Sequence, residues 1–264
     1  MEIIDAHAHI YPDKIAAKAS QAVGDFYGIP MEYVGTVDGL LEVGKRAGVS
    51  RFLVHSVATT PHQVHSINTF INEQKTKHPE LIGFITLHPD MSEDEIKEEI
   101  KYALDNGFKG IKLHPDFQKF YIDDINVFKI YKNASGKLPI LFHMGDKRYD
   151  YSSQERLVKV ANTFKDLKCI AAHFGGYSTW GNDNQYDNLK YDNVYFDTSS
   201  SLYFLEPYKA NQLIRKFGVD KFFFGTDYPM WDAKEELERF NALDLTDEEK
   251  EKILSLNIKK LLNL

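Results

Sequence analysis

Eight short apolar runs punctuate the chain, and most of the gaps between them have room for one helix. They fall near 3–7, 51–57, 81–87, 109–113, 139–143, 169–173, 194–198 and 222–226. Each suits a strand buried on both faces, which reads as a continuous apolar stretch rather than an alternating one. Most starts are about thirty residues apart, the size of one strand, one helix and two loops. Such alternation predicts a parallel sheet, and eight repeats predict that it closes into a (β/α)8 TIM barrel. An open doubly wound sheet would want a glycine-rich phosphate loop after the first strand, and His7-Ala8-His9-Ile10-Tyr11-Pro12 is nothing like one. With 264 residues and no low-complexity tract or linker, the expected organisation is one barrel domain over 1–264.

Between the runs, Ser92-Glu93-Asp94-Glu95 opens a helix with a capping box, and Ile96, Ile100 and Leu104 mark its apolar stripe. A second helix is expected over about 153–164. Thr246-Asp247-Glu248-Glu249 begins a C-terminal one, with Ile253, Leu254, Ile258 and Leu261 turned inward. The longest crossover runs from Tyr11 to Ser50, and its Tyr27-Gly28-Ile29-Pro30 segment reads as a loop over the barrel mouth.

Composition narrows the function classes. A formal charge of −7 argues against nonspecific binding to nucleic acid or acidic membranes. Cys169 is the single cysteine and lies in an apolar run, so it is expected in the core; no intrachain disulfide or cysteine-based zinc cluster can form. No run approaches a membrane span, and Met1-Glu2 leads directly into the first strand, so the expected location is cytoplasmic.

Polar residues recur where the apolar runs stop. His7 and His9, one residue apart in an extended chain, project from the same side and can reach one metal ion. Further runs end in His143, His173 and Asp227. In a β/α barrel the C-terminal strand ends converge on one mouth, where active sites sit. Three imidazoles and a carboxylate there suit zinc or a similar divalent ion, with a position left for water.

The Asp5-Ala6-His7-Ala8-His9 opening, the Phe142-His143-Met144-Gly145-Asp146 turn, Ala172-His173-Phe174-Gly175-Gly176 and Phe224-Gly225-Thr226-Asp227-Tyr228-Pro229 resemble the amidohydrolase superfamily. More narrowly they resemble its amidohydrolase-related branch, which holds both hydrolases and metal-dependent decarboxylases. The resemblance runs in order from residue 3 to residue 229. It implies that His7, His9, His143 and Asp227 bind one divalent ion, with zinc the expected metal. It implies that His173 either binds a second ion or sits beside the first as acid/base. Asp227 would take a proton from the attacking water, and His173 would polarise a carbonyl or protonate a leaving group. Lys112 matches a fourth-strand lysine that is carbamylated in binuclear members; the mononuclear habit of this branch favours a substrate contact or a structural ion pair instead. Homodimers are common in the branch, so a homodimer is the expected assembly.

The same reading takes His114 as lining or supporting the site, and His55 and His88 as hydrogen-bonded rim residues. His62, His65 and His78 are expected at the surface. Arg148, Tyr149, Tyr151, Tyr177 and Trp180 follow the fifth and sixth strands. They would suit a small, carboxylated or flat substrate, or would fold the loops onto themselves. Asp197-Thr198-Ser199-Ser200-Ser201 could form a hydroxyl-lined wall of the pocket, but capping of the following helix is the favoured expectation. The leading expectation is a hydrolase of C–N or C–O bonds in a small-molecule substrate. A nonoxidative decarboxylase using the same ligands is the alternative, and a catalytically inert scaffold a third.

Overall fold

The computed structural model describes residues 1–180 and 190–264. Its strands are β1 (Ile4–His9), β2 (Arg51–His55), β3 (Leu81–Thr86), β4 (Gly110–Leu113), β5 (Ile140–Phe142), β6 (Cys169–Ala171), β7 (Val194–Asp197) and β8 (Phe222–Phe223). They form one eight-stranded sheet whose order follows the chain, β1 to β8. Each expected run supplies one strand, and the fold is a (β/α)8 barrel. No helix among the described residues is long and apolar enough to cross a membrane.

The chain divides into two compact units. The first comprises Met1–His55, Gln74–Ile82 and Thr198–Leu264; the second comprises Ser56–Glu73 and Gly83–Asp197.

In the first unit, β1 and β2 pair in parallel with a one-residue irregularity between Asp5 and Ala8. The bulge lies before the His7-x-His9 pair is complete, and beyond it the register sets His9 directly opposite His55. β8 is shorter than expected because its backbone donors turn elsewhere. Phe224 donates its N–H to the Ile253 carbonyl, and Gly225 donates to Thr198 Oγ1. Helix 37–47 is capped by Thr36, whose side chain accepts from Gly39 N, and ends on left-handed Gly48. Its Gly44 lies so close to Phe52 of β2 that a Cβ would stand 2.0 Å from the ring's Cζ. The loop after helix 13–27 is tied down by Tyr33 N–H to the Pro229 carbonyl and by Tyr33 stacked on Tyr228. The C-terminal helix begins with the capping box of Thr246 and Glu249. After a π turn over Lys252–Leu256, Ile253, Leu254 and Ile258 are buried as expected, but Leu262 is buried and Leu261 half-buried, because the step from Ile258 is i+4 rather than i+3.

In the second unit, β3 through β7 pair in parallel. Ser92 and Glu95 make the expected capping box of helix 93–105. Ile96, Ile100 and Ala103 face inward and Leu104 is exposed, a correction that follows from 3.6-residue geometry selecting i+3 over i+4 at that turn. Buried amides brace the strand ends. Asn68 exchanges two hydrogen bonds with the backbone of Thr86, and Gln118 donates to the carbonyls of Ala58 and Leu87 while accepting from His114 N. Cys169 is fully buried, and desolvation pushes its thiol up to about 12.

Candidate metal centre

In the first unit, β1 and the turn after β8 bring His7, His9 and Asp227 together. Nε2 of His7 and Nε2 of His9 each lie 3.4 Å from Asp227 Oδ1. Asp227 is held in the left-handed region at φ 66° by its N–H to the His7 carbonyl and by the Met230 N–H to its own carbonyl. A non-glycine residue there carries strain of order 1–3 kcal/mol that the surroundings must offset. His55 completes the group: its ring packs edge-on to His7 and His9 at 4.8 and 4.4 Å, and the three imidazoles offer nitrogens within 4.8 Å of one another. It was expected at the rim and is instead fully buried, because the β1–β2 register places it against His9.

Polar neighbours fix these side chains. Asp5 Oδ1 accepts from the backbone N–H groups of His7 and Thr226, and Asp5 Oδ2 accepts from the Thr226 hydroxyl. Ser199 Oγ lies 3.0 Å from His7 Nδ1, and the Ser200 hydroxyl donates to Asp227 Oδ2 at 2.6 Å. These serines were expected to cap a helix. The next helix starts at Pro207 behind Glu206, so Ser199 and Ser200 turn to the histidine and the carboxylate instead. Desolvation, with the Asp227 charge added, holds the Tyr11 phenol well above its ordinary range, so it stays a neutral hydroxyl.

In the second unit, His143 follows β5 and His173 opens a short turn after β6. His143 Nδ1 and His173 Nε2 are 3.0 Å apart. On its other side, His143 Nε2 stands 3.2 Å from Asp116 Oδ2. Asp116 is buried, and neither of its oxygens makes a hydrogen bond among the described residues. His114 stacks flat between Phe117 and His143, at 3.8 and 4.0 Å. Asp197, closing β7, accepts the His173 backbone N–H, and Trp180 donates its indole N–H to the His173 carbonyl. Lys112 is fully buried on β4. Arg148 grips Asp146 through Nε and Nη2; against burial, which raises it, this pairing keeps the Asp146 carboxyl below its ordinary value. His88 is hydrogen-bonded as expected, accepting from Asp90 N, but it is buried rather than at the rim.

A family model described as amidohydrolase (Amidohydro_2) matches residues 4–264. The chain belongs to the amidohydrolase family. No curated protein matches it. Among solved structures similar to it are three bacterial proteins. An uncharacterised TIM-barrel protein from Bordetella bronchiseptica is 19% identical, with a TM-score of 0.80 over 100% of this chain and 99% of that one. A 5-carboxyvanillate decarboxylase from Sphingomonas paucimobilis is 14% identical, with a TM-score of 0.77 over 100% and 99%. A dihydroxybenzoic acid decarboxylase from Polaromonas, holding manganese and the inhibitor 2-nitroresorcinol, is 16% identical, with a TM-score of 0.77 over 100% and 97%. At such identities the likeness concerns the fold.

For this amidohydrolase-family chain, the donor set of the first unit fits a divalent cation. When the His7 Nδ1 proton goes to Ser199, the Nε2 lone pair faces the Asp227 oxygen, and His9 Nε2 faces the same atom. Electron-pair donors aimed at one another across 3.4 Å are what a cation between them resolves. Sequence reasoning passed over Asp116 and the burial of His55, and favoured helix capping over a site-lining role for Ser199 and Ser200. Only Asp116 carried a local signal, two residues beyond His114 in Leu113-His114-Pro115-Asp116.

Proposed function

We propose that this chain is a divalent-metal-dependent hydrolase acting on a C–N or C–O bond of a small, carboxylated or cyclic substrate. His7, His9, His143 and Asp227 are its ligand set, and zinc is the proposed ion. The observation that supports it is Asp227: one carboxylate oxygen faces both Nε2 atoms while a serine hydroxyl occupies the other. A bound divalent ion would supply Lewis-acid polarisation and lower the pKa of water toward neutrality. Asp227 accepts the proton of the attacking water at Oδ1. His173, whose ring lies 3.0 Å from that of His143 at nitrogen, is the proposed proton donor to the leaving group. Lys112, His114, Arg148 and Trp180 are the proposed substrate contacts.

A decarboxylase reading is favoured by several similar structures named as decarboxylases, two of which hold manganese. Turnover in 18O-labelled water separates the two. Metal-replete protein is offered a panel of lactones, amides and hydroxybenzoates. The hydrolase proposal expects solvent oxygen in the organic product and no CO2. Released CO2 with no label in the organic product would replace it by the lyase.

A further inference from the structure

The geometry points to Ser200, aligned by Trp231, as the residue that positions the Asp227 carboxylate for metal binding; this rests on the proposed metal-dependent reading. Hydrogen-bond polarity carries the argument. An indole N–H can only donate, and Trp231 Nε1 lies 2.9 Å from Ser200 Oγ. The serine oxygen therefore accepts there, and its single proton is left for another partner. Two acceptors are in reach: Asp227 Oδ2 at 2.6 Å and the thioether of Met230 at 3.6 Å. A carboxylate is far the stronger acceptor, so the proton goes to Asp227. The chain of donors thus runs one way, from indole to hydroxyl to carboxylate.

This arrangement occupies Oδ2, stops rotation of the carboxylate, and leaves Oδ1 aimed at the two Nε2 atoms. The indole is itself held. Tyr203 stacks on it at 4.6 Å and 27°, Phe204 meets it edge-on, and the Arg239 guanidinium lies over Tyr203. Ser200 is buried and sits at φ 50°, a backbone region a serine rarely takes. That twist lets neighbouring Ser199 and Ser200 serve two different residues, His7 and Asp227.

The test is manganese(II) affinity of the full chain, measured by chelator competition without substrate. Ser200→Ala should raise the dissociation constant about 10–100-fold, the range for losing a partner that orients a metal ligand. Ser200→Cys, which keeps a weaker donor without branching at Cβ, should retain part of the affinity. Trp231→Phe, which removes the aligning donor, should fall between. Far-UV circular dichroism and the urea unfolding midpoint of the metal-free variants should match the parent; if Ser200→Ala does not, Trp231→Phe decides. Parent-like affinity in Ser200→Ala and Trp231→Phe overturns the inference, as does a loss in Ser200→Ala with parent-like affinity in Trp231→Phe. No manganese or zinc binding by the unaltered chain would instead remove the metal-dependent reading itself.

Discussion

Glu236 offers a sharp test of how burial and ion pairing compete beside the site. It lies on helix 233–241 with its side chain wholly buried. Oε1 accepts from Arg239 Nη1 at 2.6 Å, whereas Oε2 has no hydrogen bond among the described residues. Desolvation is the largest influence and raises its pKa; Arg239 opposes it, and the charges of Asp5 and Asp227 reinforce it. The balance lifts the carboxyl from 4.5 to about 7. Between those values the folded chain binds a proton that the unfolded chain has released, so the contribution of Glu236 to stability is fullest below pH 4.5 and declines as pH rises toward 7. Each pH unit is worth about 1.4 kcal/mol, so the full span is about 3 kcal/mol. Glu236→Gln mimics the protonated form at every pH. Urea unfolding in the presence of a chelator should therefore find variant and parent close together at pH 5 and the variant more stable by about 3 kcal/mol at pH 8. A variant that is less stable than the parent at pH 8 would show that the Arg239 pair outweighs burial, and would refute the reasoning.

Two further outcomes are expected. Gly44→Ala gains at most about 1 kcal/mol of helix propensity but drives a methyl into the Phe52 ring, an overpacking cost of about 1–3 kcal/mol, so its urea midpoint should fall. An unchanged midpoint would mean the ring moves aside freely. His173→Asn should retain bound metal while turnover drops roughly 10²–10⁴-fold; loss of a full equivalent of metal would make His173 a ligand instead.

The strands were legible because each is a continuous apolar run, and the candidate ligands because a histidine or aspartate ends such a run. What hides from the sequence is what depends on register. Leu261 yields its inward place to Leu262 because the helix steps i+4 rather than i+3 from Ile258, and nothing in Ile258-Lys259-Lys260-Leu261-Leu262 announces which leucine turns in. His55 reads as a rim residue until β1–β2 pairing sets it opposite His9. Ser199 and Ser200 have the composition of a helix cap; their actual partners, His7 and Asp227, are distant in sequence and become neighbours only through the fold. The hydrolase-or-lyase choice is illegible for another reason, since both chemistries use the same ligand types.

Asp5 grips the backbone and hydroxyl of Thr226 across a sequence separation of 221 residues. During synthesis on the ribosome, His7 and His9 emerge well over two hundred residues before Asp227, and domains form as the chain lengthens. The histidine pair must therefore wait, without its carboxylate, until the intervening chain has been made. Long-range closure of this kind slows folding, because the entropy of the loop is lost before the contact repays it. A chain cut between residues 9 and 227 would keep both histidines and lack the carboxylate they face, so this trio is assembled only once translation has passed residue 227.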